Sequence, residues 1–200
     1  MISPMYFLLD KMKKTIENIF ADSIEVKQET LKKNLSQIII TVEAIISAFQ
    51  NGHKLFFCGN GGSAADCQHI AAEFVGRFQK ERKAWPAIAL TTDSSALTAL
   101  GNDYSFDIVF SRQLQALGQK GDVLIAISTS GNSKNVLEAV KEAKKIGMTS
   151  IGVTGGSGGQ LAGLSDIAII AASSKTARIQ ESHLVIFHAI CELVESNLTS

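Results

Sequence analysis

His69 and Glu73 place an imidazole and a carboxylate four positions apart in the chain. On a helix, side chains four positions apart lie on one face, so this imidazole and this carboxylate would share one site. Such a pair can accept and donate protons, or supply a nitrogen and an oxygen ligand to a metal ion. Because the same spacing is common in structural and solvated pairs, its meaning depends on the surrounding sequence.

A glycine-rich turn precedes the pair. Residues 55–58 suit a buried strand, residues 59–62 (Gly-Asn-Gly-Gly) interrupt it, Ser63 is a good N-cap, and residues 64–78 suit a helix. Glycines let the backbone approach a ligand closely, and the free N–H groups at a helix start favour negative charge. The turn matches neither the dinucleotide-binding fingerprint nor a P-loop, and an ordinary strand-to-helix turn is the alternative. With the pair beside it, the turn predicts a site for an anionic small molecule.

Hydroxyl groups crowd a second predicted turn, which follows another apolar run. Ser128, Thr129, Ser130 and Ser133 surround Gly131 ahead of a predicted helix. Hydroxyl donors at a helix N-terminus can hold a phosphate group without a lysine. A helix cap needs one hydroxyl, which Ser133 alone could supply, so four hydroxyls favour phosphate binding over a well-capped turn.

The elements that would position these residues alternate between strand and helix patterns. Strands are predicted at residues 55–58, 87–91, 123–127, 149–154 and 167–171, and helices at 64–78, from a cap at 93–94 to 101–103, 106–117, 134–146, shortly after 159, and 178–197. This order predicts an α/β fold, a three-layer sandwich whose five-stranded parallel sheet carries helices on both faces. Ligands of such folds bind outside the carboxyl ends of the strands, where both turns would lie.

Residues 5–51 are helical in pattern and are predicted to form two helices. Apolar residues recur at helical spacing in two sets, one within residues 16–24 and one within residues 31–49, and Gly52 supplies a stop. One sheet does not require both helices as cover, so their apolar faces favour a subunit interface. Residues 1–200 are therefore predicted to be a single domain, with residues 1–51 as a helical extension at that interface.

Composition excludes several classes of function. The net charge of zero gives no electrostatic reason to expect nucleic acid or an anionic membrane as a partner. The apolar stretch at residues 5–9 is followed, not preceded, by lysines, which is not a secretion signal, and no run has the length of a membrane span. Cys58, Cys67 and Cys191 are odd in number and form no Cys-x-x-Cys, which suits reduced thiols in a cytoplasmic protein.

Four stretches of the chain resemble a known family. They are Cys58-Gly-Asn-Gly-Gly-Ser63, Gly101-Asn-Asp103, residues 121–133 (Gly-Asp-Val-Leu-Ile-Ala-Ile-Ser-Thr-Ser-Gly-Asn-Ser) and Arg178-Ile-Gln-Glu181. They are similar to the sugar isomerase (SIS) domain proteins and most closely resemble the phosphoheptose isomerases. The resemblance implies a flavodoxin-like sandwich, a homotetramer, and conversion of sedoheptulose 7-phosphate to D-glycero-D-manno-heptose 7-phosphate. It also implies a place at the start of nucleotide-activated heptose biosynthesis for lipopolysaccharide or other surface glycans.

The resemblance also implies roles for individual residues. Substrate-binding positions are matched by Asn60, Gly61, Gly62, Glu73, Asn102, Asp103, Ser128, Thr129, Ser130, Ser133 and Gln180. Zinc ligands, one ion per subunit, are matched by His69, Glu73, Gln180 and His188. Glu73 and His188 also match the family's catalytic base and acid. These residue types suit ketose–aldose interconversion, which moves a proton between two carbons through an enediol.

The spacing of two of these ligands raises a question. Gln180 and His188 are eight residues apart, about 12 Å along a straight helix. Either Gln180 lies at the helix entrance and reaches forward, or one ligand comes from a neighbouring subunit. His183 is a rival ligand, although we interpret it as a helix-face histidine without a ligand role. His53 follows a helix stop and is predicted to be exposed.

Two other functions stay open at this point. Some relatives of the family are regulatory proteins that bind the replication initiator and have no enzymatic activity. They lack the acidic and imidazole pair at the positions of Glu73 and His188, whereas this chain has both. The other alternative is an isomerase of a different phosphosugar, because the sequence does not reveal how the pocket measures sugar length.

Overall fold

A computed structural model describes the backbone of residues 4–199 and the side chains from residue 8 to residue 199. Within that range the sheet has five parallel strands in the order β2-β1-β3-β4-β5. The strands are β1 (Leu55–Gly59), β2 (Ala87–Ala89), β3 (Val123–Ile127), β4 (Thr149–Gly155) and β5 (Ile167–Ala171). The helices are α1 (Pro4–Gln50), α2 (Gly62–Val75), α3 (Ser94–Asp103), α4 (Val109–Leu117, after a 3-10 turn at Phe106–Ile108), α5 (Lys134–Ile146), α6 (Gly159–Leu164) and α7 (Thr176–Leu198). The predicted α/β fold is confirmed.

The central strands β1 and β3 are buried along their whole length, because both faces of the sheet are covered. Successive side chains point to opposite faces. Leu55 and Phe57 belong to a core shared with α1, α2 and α7, whereas Phe56 and Cys58 belong to a second core shared with α4 and α5. The register pairs Gly59 with Ile127, so the turns that follow β1 and β3 leave the sheet side by side.

Several predicted boundaries are confirmed. Strands β3 and β5 and helix α5 begin and end as the sequence pattern predicts. Gly147 ends α5 in the left-handed conformation, with φ 86°. Asp93 caps α3 by accepting a hydrogen bond from the Ala96 N–H at 2.9 Å. Strand β2 is shorter than predicted, and β4 extends one residue further.

The prediction of two N-terminal helices is wrong, since α1 is one continuous helix of 47 residues. Residues 5–50 contain neither glycine nor proline, so nothing in them interrupts the backbone hydrogen bonds. Both sets of apolar residues lie on this one helix, but they differ in how far their side chains are buried. After residue 25 some of the apolar side chains are buried, among them Val26, Ile38, Val42 and Ile45, and others such as Leu31 and Leu35 are exposed, whereas all of residues 8–20 are exposed.

The beginning of α2 also differs from the prediction. Gly61, with φ 56°, occupies the N-cap position, and Ser63 lies buried in the first turn and is not the cap. A glycine adopts this positive φ without the steric cost that a side chain would add. The helix ends at Val75, three residues earlier than predicted, and α7 begins two residues earlier, at Thr176.

A search of the helices in residues 4–199 finds none that is both long enough and apolar enough to cross a membrane.

Candidate active site

The two predicted ligand turns meet at the carboxyl-terminal edge of the sheet. The side-chain amide of Asn60, after β1, donates to Oδ1 of Asn135 in α5, and the Asn135 amide donates back, both at 2.9 Å. Asn135 is buried, so this reciprocal pair fixes one turn against the other. Sequence reasoning proposed Asn60 as a substrate contact but missed Asn135, whose partner lies 75 residues away in the chain.

The loop after β3, which carries the four hydroxyl side chains of residues 128–133, is held by contacts between its own residues. Ser128 Oγ lies 2.9 Å from Ser133 Oγ and 3.5 Å from Ser130 Oγ. Ser133 holds the N-cap position of α5, yet its hydroxyl is engaged by Ser128. Gly131, with φ 68°, packs so closely on Gly158 that any Cβ would collide with the Gly158 backbone. The loop is therefore a rigid, hydroxyl-lined turn, and the Ser130 side chain is left at the surface.

His69, Glu73 and His188 lie together, two on α2 and one on α7. Nε2 of His69 is 3.2 Å from Oε1 of Glu73, and the side chains are 45% and 23% exposed, so a ligand can reach both. The His188 ring meets the His69 ring edge-on at a centroid distance of 5.3 Å. Phe78 lies on another side of His188, 5.7 Å away between centroids. The arrangement places a carboxylate and two imidazoles in one accessible cluster, which suits proton transfer.

Gln180 lies against the glycine turn. A Cβ at position 62 would collide with Nε2 of Gln180, so the absence of a side chain at Gly62 admits the glutamine to the start of α2. Gln180 is one turn inside α7, and His188 is two further turns along the same helix. Among the described residues, no three His, Cys, Asp or Glu side chains are arranged to hold a metal ion. Both alternatives for Gln180, that it reaches forward from the start of the helix or that one ligand comes from a neighbouring subunit, stay open.

Asn102 and Asp103 end helix α3 and are both exposed. The Asn102 amide donates to Oδ1 of Asp103 at 2.8 Å. Their substrate-binding role stays a prediction, because their recorded side-chain bond is to each other.

Of the remaining two histidines, His183 lies on α7 and its lack of a ligand role stays a prediction, whereas His53 differs from its predicted setting. His183 is fully buried, and Nε2 lies 2.9 Å from the carbonyl oxygen of Thr154. Burial lowers the pKa of His183 to about 4, which keeps the ring neutral. His53 is half-buried, not exposed, with Nδ1 3.8 Å from Oδ1 of the buried Asp122.

Similarity to known proteins agrees with this architecture. Residues 19–155 match the model of the SIS domain family, which defines the class of the protein. The phosphoheptose isomerase of Nitratiruptor sp. is 53% identical over 186 residues, covering 91% of this chain and 99% of that protein. The phosphoheptose isomerase of Campylobacter concisus is 50% identical over 183 residues, covering 90% and 97%. This chain belongs to the phosphoheptose isomerase family.

Solved structures extend the likeness to three dimensions. The phosphoheptose isomerase of Neisseria gonorrhoeae superimposes with a TM-score of 0.88 at 46% identity, over 92% of this chain and 99% of that one. The Francisella tularensis enzyme gives a TM-score of 0.89 at 39% identity, over 92% and 98%. The chain thus has the family's fold along nearly its whole length.

Proposed function

We propose that the protein is an aldose–ketose isomerase that converts sedoheptulose 7-phosphate to D-glycero-D-manno-heptose 7-phosphate. The observation that carries the proposal is the cluster of Glu73, His69 and His188 on the same sheet edge as a hydroxyl-lined turn. The family supports the choice of substrate, since its members are named phosphoheptose isomerases at about half identity over most of the chain.

The phosphate would occupy the turn of residues 128–133, where hydroxyls and the start of α5 favour an anion. Fixing that end brings C1 and C2 of the open-chain ketose toward the cluster. Glu73 accepts a proton from C1, which leaves an enediol, and the same proton or one from solvent then returns to C2. His188 transfers the protons on oxygen: it gives a proton to O2 and takes one from the hydroxyl group on C1. No atom is gained or lost, so no co-substrate is needed.

We also propose that each subunit holds zinc with His69, Glu73, Gln180 and His188. Imidazole nitrogen and carboxylate oxygen suit this ion, although a glutamine ligand is unusual. When bound, zinc would stabilise negative charge on the enediol oxygens. The donor types fit, but their arrangement within one chain is not that of a closed zinc site, so no step above depends on the ion. Metal analysis of the purified protein should find one zinc per subunit, and none in His69→Ala; a metal-free, fully active protein would refute this assignment.

A homotetramer is proposed from the exposed apolar surface of α1. Large apolar side chains line its first half, and a groove between α1 and α7 is lined by further ones. Apolar side chains exposed along half of a long helix and in a neighbouring groove are typical of a subunit interface. Light scattering should give four times the 21.4 kDa chain mass, and deletion of residues 1–50 should cause dissociation or aggregation. A well-behaved, active monomer would exclude the proposal.

We place the reaction in the cytoplasm, at the first step of nucleotide-activated heptose synthesis for lipopolysaccharide or other surface glycans. The three cysteines support this location, because all are buried as free thiols and burial raises the pKa of Cys191 to about 12, which suppresses its reactivity. No nucleic-acid or membrane partner is proposed. Loss of the gene should remove heptose from the surface glycan and be reversed by the wild-type chain but not by Glu73→Gln.

Turnover of several ketose phosphates, compared at equal concentration, tests the substrate. The highest kcat/KM is expected for sedoheptulose 7-phosphate. A higher value for a shorter ketose phosphate would favour the isomerase of another phosphosugar. Binding without turnover of any of them would favour the regulatory alternative.

A further inference from the structure

A buried ion pair lies just behind the histidine and glutamate cluster. Nε of Arg82 is 3.1 Å from Oε1 of Glu195, and only 4% and 3% of the two side chains are exposed. Taking two charges out of water carries a large desolvation penalty, and apolar residues of similar volume often stabilise the fold equally well. The reason for burying this ion pair must therefore lie in the other groups to which the two side chains are hydrogen-bonded.

The Glu195 carboxylate organises the segment that follows α2. It accepts hydrogen bonds from three consecutive backbone N–H groups, those of Phe78, Gln79 and Lys80, at 2.7–3.0 Å. Burial raises the pKa of this carboxyl, but the three N–H groups and Arg82 lower it by more, so it stands below its ordinary value. Glu195 is thus an ionised anchor that holds residues 78–80 against α7.

Arg82, the other member of the ion pair, binds the end of α2. Its two terminal nitrogens donate to the carbonyl oxygens of Glu73 at 2.7 Å, Phe74 at 2.9 Å and Gly76 at 3.0 Å. The last carbonyls of a helix lack partners within it, and the helix dipole favours a cation there. The guanidinium also lies over the Trp85 ring at 3.7 Å, which restricts its plane.

We propose that Arg82 and Glu195, named here the clamp, are positioning residues that set the placement of Glu73 relative to His188. Arg82 holds the backbone of Glu73 itself, while Glu195 shares α7 with His188, two turns away on the same side. Glu195 also fixes Phe78, whose ring lies against His188. The clamp thereby ties the proposed base on α2 to the proposed acid on α7. This inference rests on the proposed function.

Misplacement of a catalytic group by 1 Å can lower a rate by about 10²-fold. Glu195→Gln keeps the side-chain shape but presents an N–H to backbone donors, and Arg82→Lys keeps the charge but loses the fork that reaches several carbonyls. For both variants we expect kcat to fall by about 10- to 100-fold with KM little changed, because phosphate binding lies elsewhere.

Asp122→Asn is the matched control. Asp122 is another buried carboxylate that accepts backbone N–H groups and pairs with a cation, Lys54, but it lies at the opposite edge of the sheet. This variant should lose stability without losing kcat. Arg82→Lys serves as the milder test should Glu195→Gln fail to fold.

Histidine NMR supplies a readout that is independent of turnover, since the chain has four histidines. Glu195→Gln and Arg82→Lys should shift the His188 ring resonance and leave that of His53, whereas Asp122→Asn should do the reverse. Unchanged kcat and an unmoved His188 resonance in a folded clamp variant, with stability lost as in Asp122→Asn, would overturn the proposal. A wild-type protein without isomerase activity, but with the His188 shift in the variants, would refute the proposed function and support the clamp.

Discussion

The two edges of the sheet carry similar polar side chains and use them differently. At the amino-terminal edge, Asp122 accepts from the N–H groups of Lys54 and Gln119, both at 2.8 Å, and pairs with Lys54 Nζ at 3.0 Å. Asp166 likewise accepts from the N–H and the hydroxyl of Ser150. The bonding capacity of the buried Asp122 is thus taken up inside the protein, whereas the exposed Asp166 is paired with Ser150 and, at 3.4 Å, with Lys144.

At the carboxyl-terminal edge, polar groups are held in place but left accessible. Glu73 has its side chain toward His69 and solvent, and Ser130 lies at the surface of a loop that its neighbours brace. Residue type alone therefore does not distinguish a binding site from a structural brace. What distinguishes them is whether the polar atoms retain capacity for a ligand.

The largest effect is expected from the proposed base. Glu73→Gln keeps shape and an oxygen but cannot accept a proton, so kcat should fall by about 10²- to 10⁴-fold while phosphosugar binding survives. His188→Gln should also stop net isomerisation. The loss of activity in the double variant, expressed as a free energy, should be much smaller than the sum of the losses in the two single variants, because the two residues act as a unit.

Kinetics and a binding assay on the same preparations check this prediction. Substantial activity in Glu73→Gln would refute the assignment of the base. Loss of binding together with turnover would assign the residue to building the site rather than to proton transfer.

The second prediction concerns a polar group that is fully enclosed near the carboxyl-terminal edge. The pKa of His183 is lowered by burial from 6.5 to about 4, so between these pH values the unfolded chain binds more protons than the folded one. The free energy of unfolding should therefore decrease as the pH falls from 6.5 to 4, by about 3 kcal/mol from this group. Above pH 6.5 the titration of His183 should not change the free energy of unfolding.

His183→Gln is the test, because glutamine can donate to the Thr154 carbonyl without titrating. Denaturant unfolding across this pH range should show a shallower decline for the variant. Parallel curves for variant and wild type would mean that His183 is accessible to protons in the folded state.

A third prediction contrasts two serines, one on each edge. Ser130→Ala should raise KM by an amount consistent with about 1.5–3 kcal/mol, the cost of losing a hydrogen bond to a charged group, and leave stability nearly unchanged. Ser150→Ala removes the 2.6 Å bond to Asp166 and should lower stability while leaving KM alone. If Ser130→Ala also leaves KM unchanged in a folded protein, the loop is a capped turn and not a phosphate site.

The smallest effect is expected at Asp93, which follows β2 on the carboxyl-terminal side. Its carboxylate is used as the cap of α3, so Asp93→Ala should cost about 1 kcal/mol of stability without changing turnover. Thermal unfolding and the isomerase assay would check both parts. A large loss of turnover would show that the capped carboxylate takes part in the site after all.

Local patterns in the sequence predicted most of the fold. Strands β3 and β5 and helix α5 were predictable because uniform apolar or amphipathic runs end at turn residues such as Gly147. The start of α2 was not, because Gly61, with a positive φ, occupies the N-cap position in place of Ser63, a residue type with a stronger preference for that position. The single helix α1 was missed because two separate sets of apolar residues were interpreted as two helices.

The site was predictable where its residues are close in sequence. His69 and Glu73 meet because of helical spacing, and the glycine and hydroxyl turns follow adjacent strands. The pairs Asn60–Asn135 and Arg82–Glu195 join residues 75 and 113 positions apart. Local pattern carries no information on such partners, and tertiary packing alone brings them together.

Isomerisation of sedoheptulose 7-phosphate by the wild-type protein in D₂O, followed by NMR, would show whether a proton moves between C1 and C2 through Glu73. We expect the heptose aldose to form with deuterium at C2, and the remaining ketose to gain deuterium at C1, because the Glu73 carboxylate is accessible to solvent and exchanges the proton it carries. A folded protein that forms no aldose would contradict the isomerase assignment, and one that forms it with hydrogen retained at every carbon would contradict exchange of the Glu73 proton with solvent.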